Sequence, residues 1–176
     1  MKHLLQIIFL IAGMGFFASC NKDDDTPPPP PTRTELLSNK SWITTALTVN
    51  PPLQLNNGNF VSDVYGFYQA NQLQCILDDV KFFYEKGSYT FEEGATKCNP
   101  SDPAVWESGT WLFNSTESTL VTTHVVPQGL SSTTSYDILE LNETTLQLRY
   151  IQRFRDPETE QVFAYTYTET HTIAAE

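Results

Sequence analysis

VKFFYEKGSYTFEE, residues 80–93, carries the pattern that decides the fold. Val80, Phe82 and Tyr84 alternate onto one face. Lys86-Gly87 reads as a two-residue turn, and Ser88 to Glu92 returns with Tyr89 and Phe91 inward. Two alternating runs around a glycine turn predict an antiparallel β-hairpin. The same period of two runs outward in both directions. Ser41 to Val49 is β-branched, Gly109 to Phe113 puts Trp111 and Phe113 on one face, and Asn114 to Glu117 turns into Leu120 to Val126. Tyr136 to Leu141 turns at Asn142-Glu143 into Leu146, Leu148, Tyr150 and Phe154, and Asp156 to Glu158 turns into Gln161 to Ile173. About eight short antiparallel strands in a meander predict a closed barrel or a sandwich.

One segment breaks the alternation. Ser62 to Leu73 offers Ser62 or Asp63 as a cap and Val64, Phe67, Tyr68 and Leu73 as a helical stripe, with Gly66 in its middle. It predicts a short helix or ordered loop before Cys75.

The order of motifs along residues 36–113 resembles the bacterial lipocalin-like domains of exported lipoproteins. Leu36-Leu37-Ser38-Asn39-Lys40-Ser41-Trp42 is similar to that family's Leu-x-Gly-x-Trp opening, with Asn39 or Lys40 where glycine is common. Cys75-Ile76-Leu77-Asp78-Asp79, Tyr89-Thr90-Phe91, Cys98 and Gly109-Thr110-Trp111 follow in the family's order. The resemblance implies an all-β, antiparallel up-and-down barrel of about eight strands, whose interior takes one small apolar ligand.

The N-terminus addresses the chain. Lys2 and His3 precede 14 largely apolar residues, Leu4 to Phe17, too short for the ~20 of a spanning helix. A charged head and short apolar core make residues 1–19 a signal peptide; a short membrane anchor is the alternative. Phe17-Ala18-Ser19-Cys20 resembles the bacterial lipobox, with Phe17 in place of the usual leucine. The resemblance implies that Cys20 becomes the first mature residue and carries diacylglycerol and a further acyl chain such as palmitate. Two or more chains are what stable anchoring requires. Lys22-Asp23-Asp24 after the cysteine resembles the surface-export signal of some outer-membrane lipoproteins and implies an outward-facing chain; a solvated linker is the plainer reading. Pro27 to Pro31 then favours an extended spacer. Residues 20–34 are thus a tether and 35–176 the barrel domain.

Charge and cysteines narrow the function. The chain has 10 Lys and Arg against 21 Asp and Glu, a formal net charge of −11, and loss of residues 1–19 removes Lys2 as well. Such a surface repels phosphate, so no nucleic-acid partner is expected. With Cys20 lipidated, Cys75 and Cys98 have one possible pairing in an oxidising compartment; two buried free thiols are the alternative.

Catalytic patterns are sparse. The chain has no Gly-x-Ser-x-Gly elbow and no phosphate-binding glycine loop. His124 and His171 fall short of the three protein ligands of a usual catalytic zinc site. Asp78-Asp79 reads as a turn into the Val80 strand. No metal, cofactor or enzymatic activity is expected. Glu169 and His171 share the inward face of the last strand with Phe163, Tyr165 and Tyr167 and are placed to pair. Tyr65, Phe67 and Tyr68 are expected to lid one mouth. Tyr84, Trp111, Tyr150, Tyr165, Tyr167 and His171 are the expected contacts from the strands. Binding a small apolar or amphipathic ligand leads. The alternative is a filled barrel serving as a structural or accessory member of an outer-membrane complex. An enzyme would need His124 and His171 in hydrogen-bond reach of a polar pocket.

Overall fold

The computed structural model describes residues 27–125, 131–157 and 159–174. Cys20, the leader, the acidic run, Val126 and Glu158 lie outside the described residues. Pro27 to Pro31 is exposed and carries no helix or strand, and a compact unit begins at Pro31.

A short helix that the sequence reading did not place, α1 (Arg33–Leu37), opens the domain. A capping box starts it: Thr32 Oγ1 accepts from Glu35 N–H at 3.2 Å, and Thr32 N–H donates to Glu35 Oε2 at 2.7 Å. The helix delivers Leu37, fully buried, to one end of the barrel, where its carbonyl accepts the Trp42 indole N–H at 2.8 Å. Asn39, at φ 57°, turns the chain into the first strand. That left-handed conformation suits glycine best, and asparagine is among the few residues that tolerate it.

The strands are β1 (Ser41–Gln54), β2 (Phe60–Asp63), β3 (Val80–Phe83), β4 (Ser88–Glu92), β5 (Val105–Phe113), β6 (Thr119–Val125), β7 (Ser131–Leu141), β8 (Thr145–Arg155) and β9 (Val162–Ile173). All neighbours pair antiparallel in sequence order from β3 to β9. Strand β1 closes the sheet by pairing with β3 on one edge and with β9 on the other, from Trp42↔Ile173 to Asn50↔Thr166. The result is a closed eight-stranded β-barrel. Strand β2, which the sequence does not announce, pairs with the far half of β1 on both sides of the prolines Pro51 and Pro52, at Thr48 and at Leu53 and Gln54. Those prolines have no N–H to give a ladder, and the β1–β2 register shifts there.

The first hairpin departs from expectation in one decisive respect. Tyr84 N–H donates to Ser88 O at 2.8 Å and Gly87 N–H to Tyr84 O at 3.0 Å. The loop is therefore three residues, Glu85 to Gly87, with Gly87 at φ 84° supplying the left-handed position. Phe83 lies opposite Tyr89 and Lys81 opposite Phe91. A one-residue slip moves every side chain to the other face. Lys81 and Phe83 point inward; Phe82 and Tyr84 stand outside with ring centroids 4.6 Å apart. The inward reading of Tyr89 and Phe91 holds.

Two further helices lie between β2 and β3: α2 (Val64–Ala70) and α3 (Gln74–Leu77). Asp63 caps α2, its Oδ1 accepting from Gly66 N–H at 2.8 Å. A Cβ on Gly66 would stand 2.3 Å from the Asp63 carboxylate, so glycine there permits the cap. Cys75 on α3 and Cys98 after β4 form a disulfide, Cα atoms 5.1 Å apart. In the chain-entropy picture, closing that loop contributes about 3 kcal/mol. Asn114 Oδ1 and Asn142 Oδ1 each accept two backbone amides in their hairpin loops, so both asparagines act as turn residues.

The core divides into two. At the end of the three tight hairpins, Leu37, Trp42, Phe83, Trp111, Leu120 and Leu146 pack into a solid plug. Around the other mouth, Val49, Val64 and Tyr167 pack with Leu47, Tyr68, Tyr150 and Tyr165. Among the described residues no helix is long and apolar enough to cross a membrane.

Candidate functional site

Between plug and mouth the barrel keeps a cavity of about 290 Å³. Its floor is Phe83, Leu120 and Leu148, and its roof is Tyr65 and Tyr68 from α2 with Ile76 and Leu77 from α3. The walls are polar on both sides. Lys81 and Glu169 face it from the strands flanking β1, and Tyr89, Glu107 and Thr122 face it from β4, β5 and β6.

The first polar group is a charge pair with a second layer. Lys81 Nζ donates to Glu169 Oε2 at 2.6 Å, and the same oxygen lies 2.9 Å from His171 Nε2. Burial disfavours charge on Glu169, but Lys81 and His171 outweigh it and hold the carboxyl well below the usual range. Burial also opposes the Lys81 ammonium, and Glu169 more than offsets this, so Lys81 stays above the ordinary lysine range. His171 is fully buried; burial and then the Lys81 charge push it down, so it is neutral. An ionised Glu169 only accepts, which puts the His171 proton on Nε2. Nδ1 then accepts from the Thr44 hydroxyl at 3.2 Å.

The second group lies across the lumen. Glu107 Oε1 accepts the Tyr89 hydroxyl in a very short hydrogen bond, and His124 Nδ1 stands 3.2 Å from the same oxygen. Burial, then the Glu107 hydrogen bond and charge, raise the Tyr89 phenol, which stays protonated. A Cβ on Gly109, which sits between Glu107 and Trp111 on the inward face, would come within 2.1 Å of Thr123 O. Only glycine lets β5 and β6 approach this closely.

The expected site residues divide. Tyr65 and Tyr68 line the cavity; Phe67 does not, and its ring lies 6.1 Å from that of Tyr68. Tyr84 is outside the barrel and 39% exposed, which corrects the inward expectation through the hairpin slip. Trp111 belongs to the plug, its indole N–H donating to Tyr84 O at 2.9 Å. Tyr150, Tyr165 and Tyr167 pack at the mouth beside Tyr68; Tyr150 and Tyr167 stack at 5.1 Å. His171 pairs with Glu169 as expected, but beneath the cavity wall.

Of the expected contacts only Tyr65 and Tyr68 are among the lining residues; the polar ones that the sequence does not mark as contacts include Lys81, Glu107 and Tyr136. A three-residue loop at Glu85-Lys86-Gly87 would have exposed the first. Extending the Trp111 alternation backward through Gly109 reaches Glu107. Tyr136 was read as strand but not as lining. Asp78 and Asp79 tie the β3 start to the loop after β4: Asp78 Oδ2 accepts from Thr96 N–H at 2.9 Å and Asp79 Oδ1 from Gly94 N–H at 3.1 Å. Burial pushes Asp79 up to about 6, against the Gly94 amide and with Glu93 and Asp78 adding to the rise.

Compared with protein-family models and with curated proteins, the chain matches none.

Proposed function

We propose that this chain is a lipoprotein, anchored through Cys20 in the outer membrane and facing the exterior, whose lipocalin-like barrel binds one small amphipathic molecule without transforming it. The observation that carries the reading is the roofed cavity of about 290 Å³ with charged groups and two threonines in a mainly aromatic and aliphatic wall. A filled barrel would not keep such a space. The volume lies at the low edge of the ~300–1,000 Å³ of small-molecule sites. At the ~30 Å³ that one liquid water occupies, it holds on the order of ten non-hydrogen atoms. A long acyl chain does not fit; a short ring-bearing molecule with one polar end does. The leader, Cys20 and the acidic and proline-rich run support the anchoring half of the proposal.

Native mass spectrometry of the intact chain, extracted in detergent from its own membranes, tests the binding. A reproducible added mass of roughly 100–200 Da is expected from the cavity size. A bare mass, with no binding by any small aromatic probe, refutes it. Cys20→Ala tests the anchor: the variant should leave the membrane fraction.

A second reading, an accessory subunit of an outer-membrane complex, is favoured by the far end of the β8–β9 hairpin. Ile151, Phe154, Val162 and Phe163 are 53%, 44%, 51% and 40% exposed there. Phe154 pairs with Phe163 on one face of the hairpin, and Ile151 and Val162 stand on the other; exposed apolar residues grouped in this way mark interaction sites. A Phe154→Ser/Phe163→Ser variant that keeps the ligand but loses a defined cross-link to an outer-membrane protein would favour this second role.

A further inference from the structure

We propose that the cavity's ligand is a small organic cation, a protonated amine on a short apolar body. This rests on the reading of the cavity as a ligand site. The wall holds two carboxylates, Glu107 and Glu169, against one ammonium, Lys81. Lys81 and Glu169 neutralise each other at 2.6 Å. Glu107 has no ammonium or guanidinium beside it: its two neighbours, the Tyr89 hydroxyl and His124 Nδ1, both meet Oε1. Among the described residues Oε2 has no hydrogen-bond donor.

The rest of the wall suits the same charge. Ring faces carry negative quadrupole potential and attract cations within about 6 Å. Phe83, Phe91 and Tyr136 line the wall, and Tyr65 and Tyr68 roof it. One ring already serves this purpose, with Lys81 Nζ 5.8 Å from the Phe91 centroid. Beyond the site, a chain of formal net charge −11 draws cations toward it and repels anions. A carboxylate ligand would meet Glu107 directly. At the Lys81 ammonium it would have to share the charge with Glu169, setting two carboxylates side by side around one counter-ion.

The test is a matched series of three probes on the intact chain: 2-phenylethylamine, 2-phenylethanol and phenylacetate. They share a ring and differ in charge. Isothermal titration should find the amine bound at least roughly tenfold tighter than the alcohol, with the carboxylate weakest, as an added ion pair and cation–π contact require. Glu107→Gln keeps an oxygen acceptor for Tyr89 and should bring the amine-to-alcohol affinity ratio most of the way back to one. Because the probe series works on the unaltered chain, the outcome does not depend on that variant folding. Equal binding of all three, or preference for phenylacetate, overturns the cation inference and leaves the binding cavity standing. No binding of any probe overturns both.

Discussion

Removing the Lys81 ammonium tests whether the cavity wall is dry, and Lys81→Met does so with little change of volume. At 2.6 Å and an effective dielectric constant of ~20 the gross attraction to Glu169 is about 6 kcal/mol. Desolvation of the two groups cancels much of it. Breaking a buried pair from one side nevertheless costs about 3–5 kcal/mol, because the remaining charge stays buried. The side chains of Lys81 and Glu169 are 20% and 11% exposed, so the lower end applies, about 3 kcal/mol. For a domain of this size that is a fall in Tm of roughly 10 °C. Glu169→Gln should cost a similar amount, and the double variant Lys81→Met/Glu169→Gln much less than the sum. The sign with pH follows. Glu169 is held below its unfolded value of 4.5 and Lys81 above its 10.5, so the pair stabilises fully between those values. The contribution is lost as acid protonates Glu169 and as alkali deprotonates Lys81. Urea denaturation followed by circular dichroism measures the cost of the variants at about pH 7 and the acid loss at about pH 3. Single variants costing under ~1 kcal/mol at pH 7, with additive effects, would mean a solvated pair and refute the account.

Three other outcomes follow from the geometry. His171 is buried neutral with its folded pKa pushed below 6.5, so the unfolded chain takes up a proton that the folded one refuses. Stability should fall below pH 6.5 by up to about 1.4 kcal/mol per pH unit, and His171→Gln should flatten that slope in denaturation curves between pH 6.5 and 5. Gly109→Ala forces a Cβ to 2.1 Å from Thr123 O, a backbone atom that cannot swing away, so a loss of about 3 kcal/mol in unfolding free energy, read from urea denaturation, is expected. Cys75→Ser with Cys98→Ser should cost about 3 kcal/mol, read as the same loss on reduction of the unaltered protein.

Much of this molecule was legible residue by residue. Alternation marked every strand of the barrel, because a strand exposes its two faces at a period of two whatever it pairs with. Ser62-Asp63 offered two possible caps for a helix start, since an acceptor before a helical stripe satisfies an otherwise orphaned amide, and the structure uses Asp63. Less visible were α1, five residues long, and β2, a four-residue partner for strand β1, both too short for a periodic signal. The largest misreading came from one position. Counting Lys86-Gly87 as a two-residue loop sends Tyr84 inward; counting Glu85 with them sends Lys81 and Phe83 inward instead. Both counts fit the local sequence. Packing chooses between them: the second buries Phe83 against Tyr89 and Trp111, 6.0 and 6.1 Å between rings, and gives Lys81 its counter-ion.

The local chain therefore carries what depends on near neighbours: which segments are strands, where a helix begins, which cysteines are left to pair, and that the charge is acidic. Three-dimensional assembly decides what depends on distant ones. Lys81 and Glu169 lie 88 positions apart, and neither announces the other along the chain. The cavity is further still from any local signal. It is the small difference between the space eight strands enclose and the volume of all the side chains they turn inward, and no one of those residues contains it.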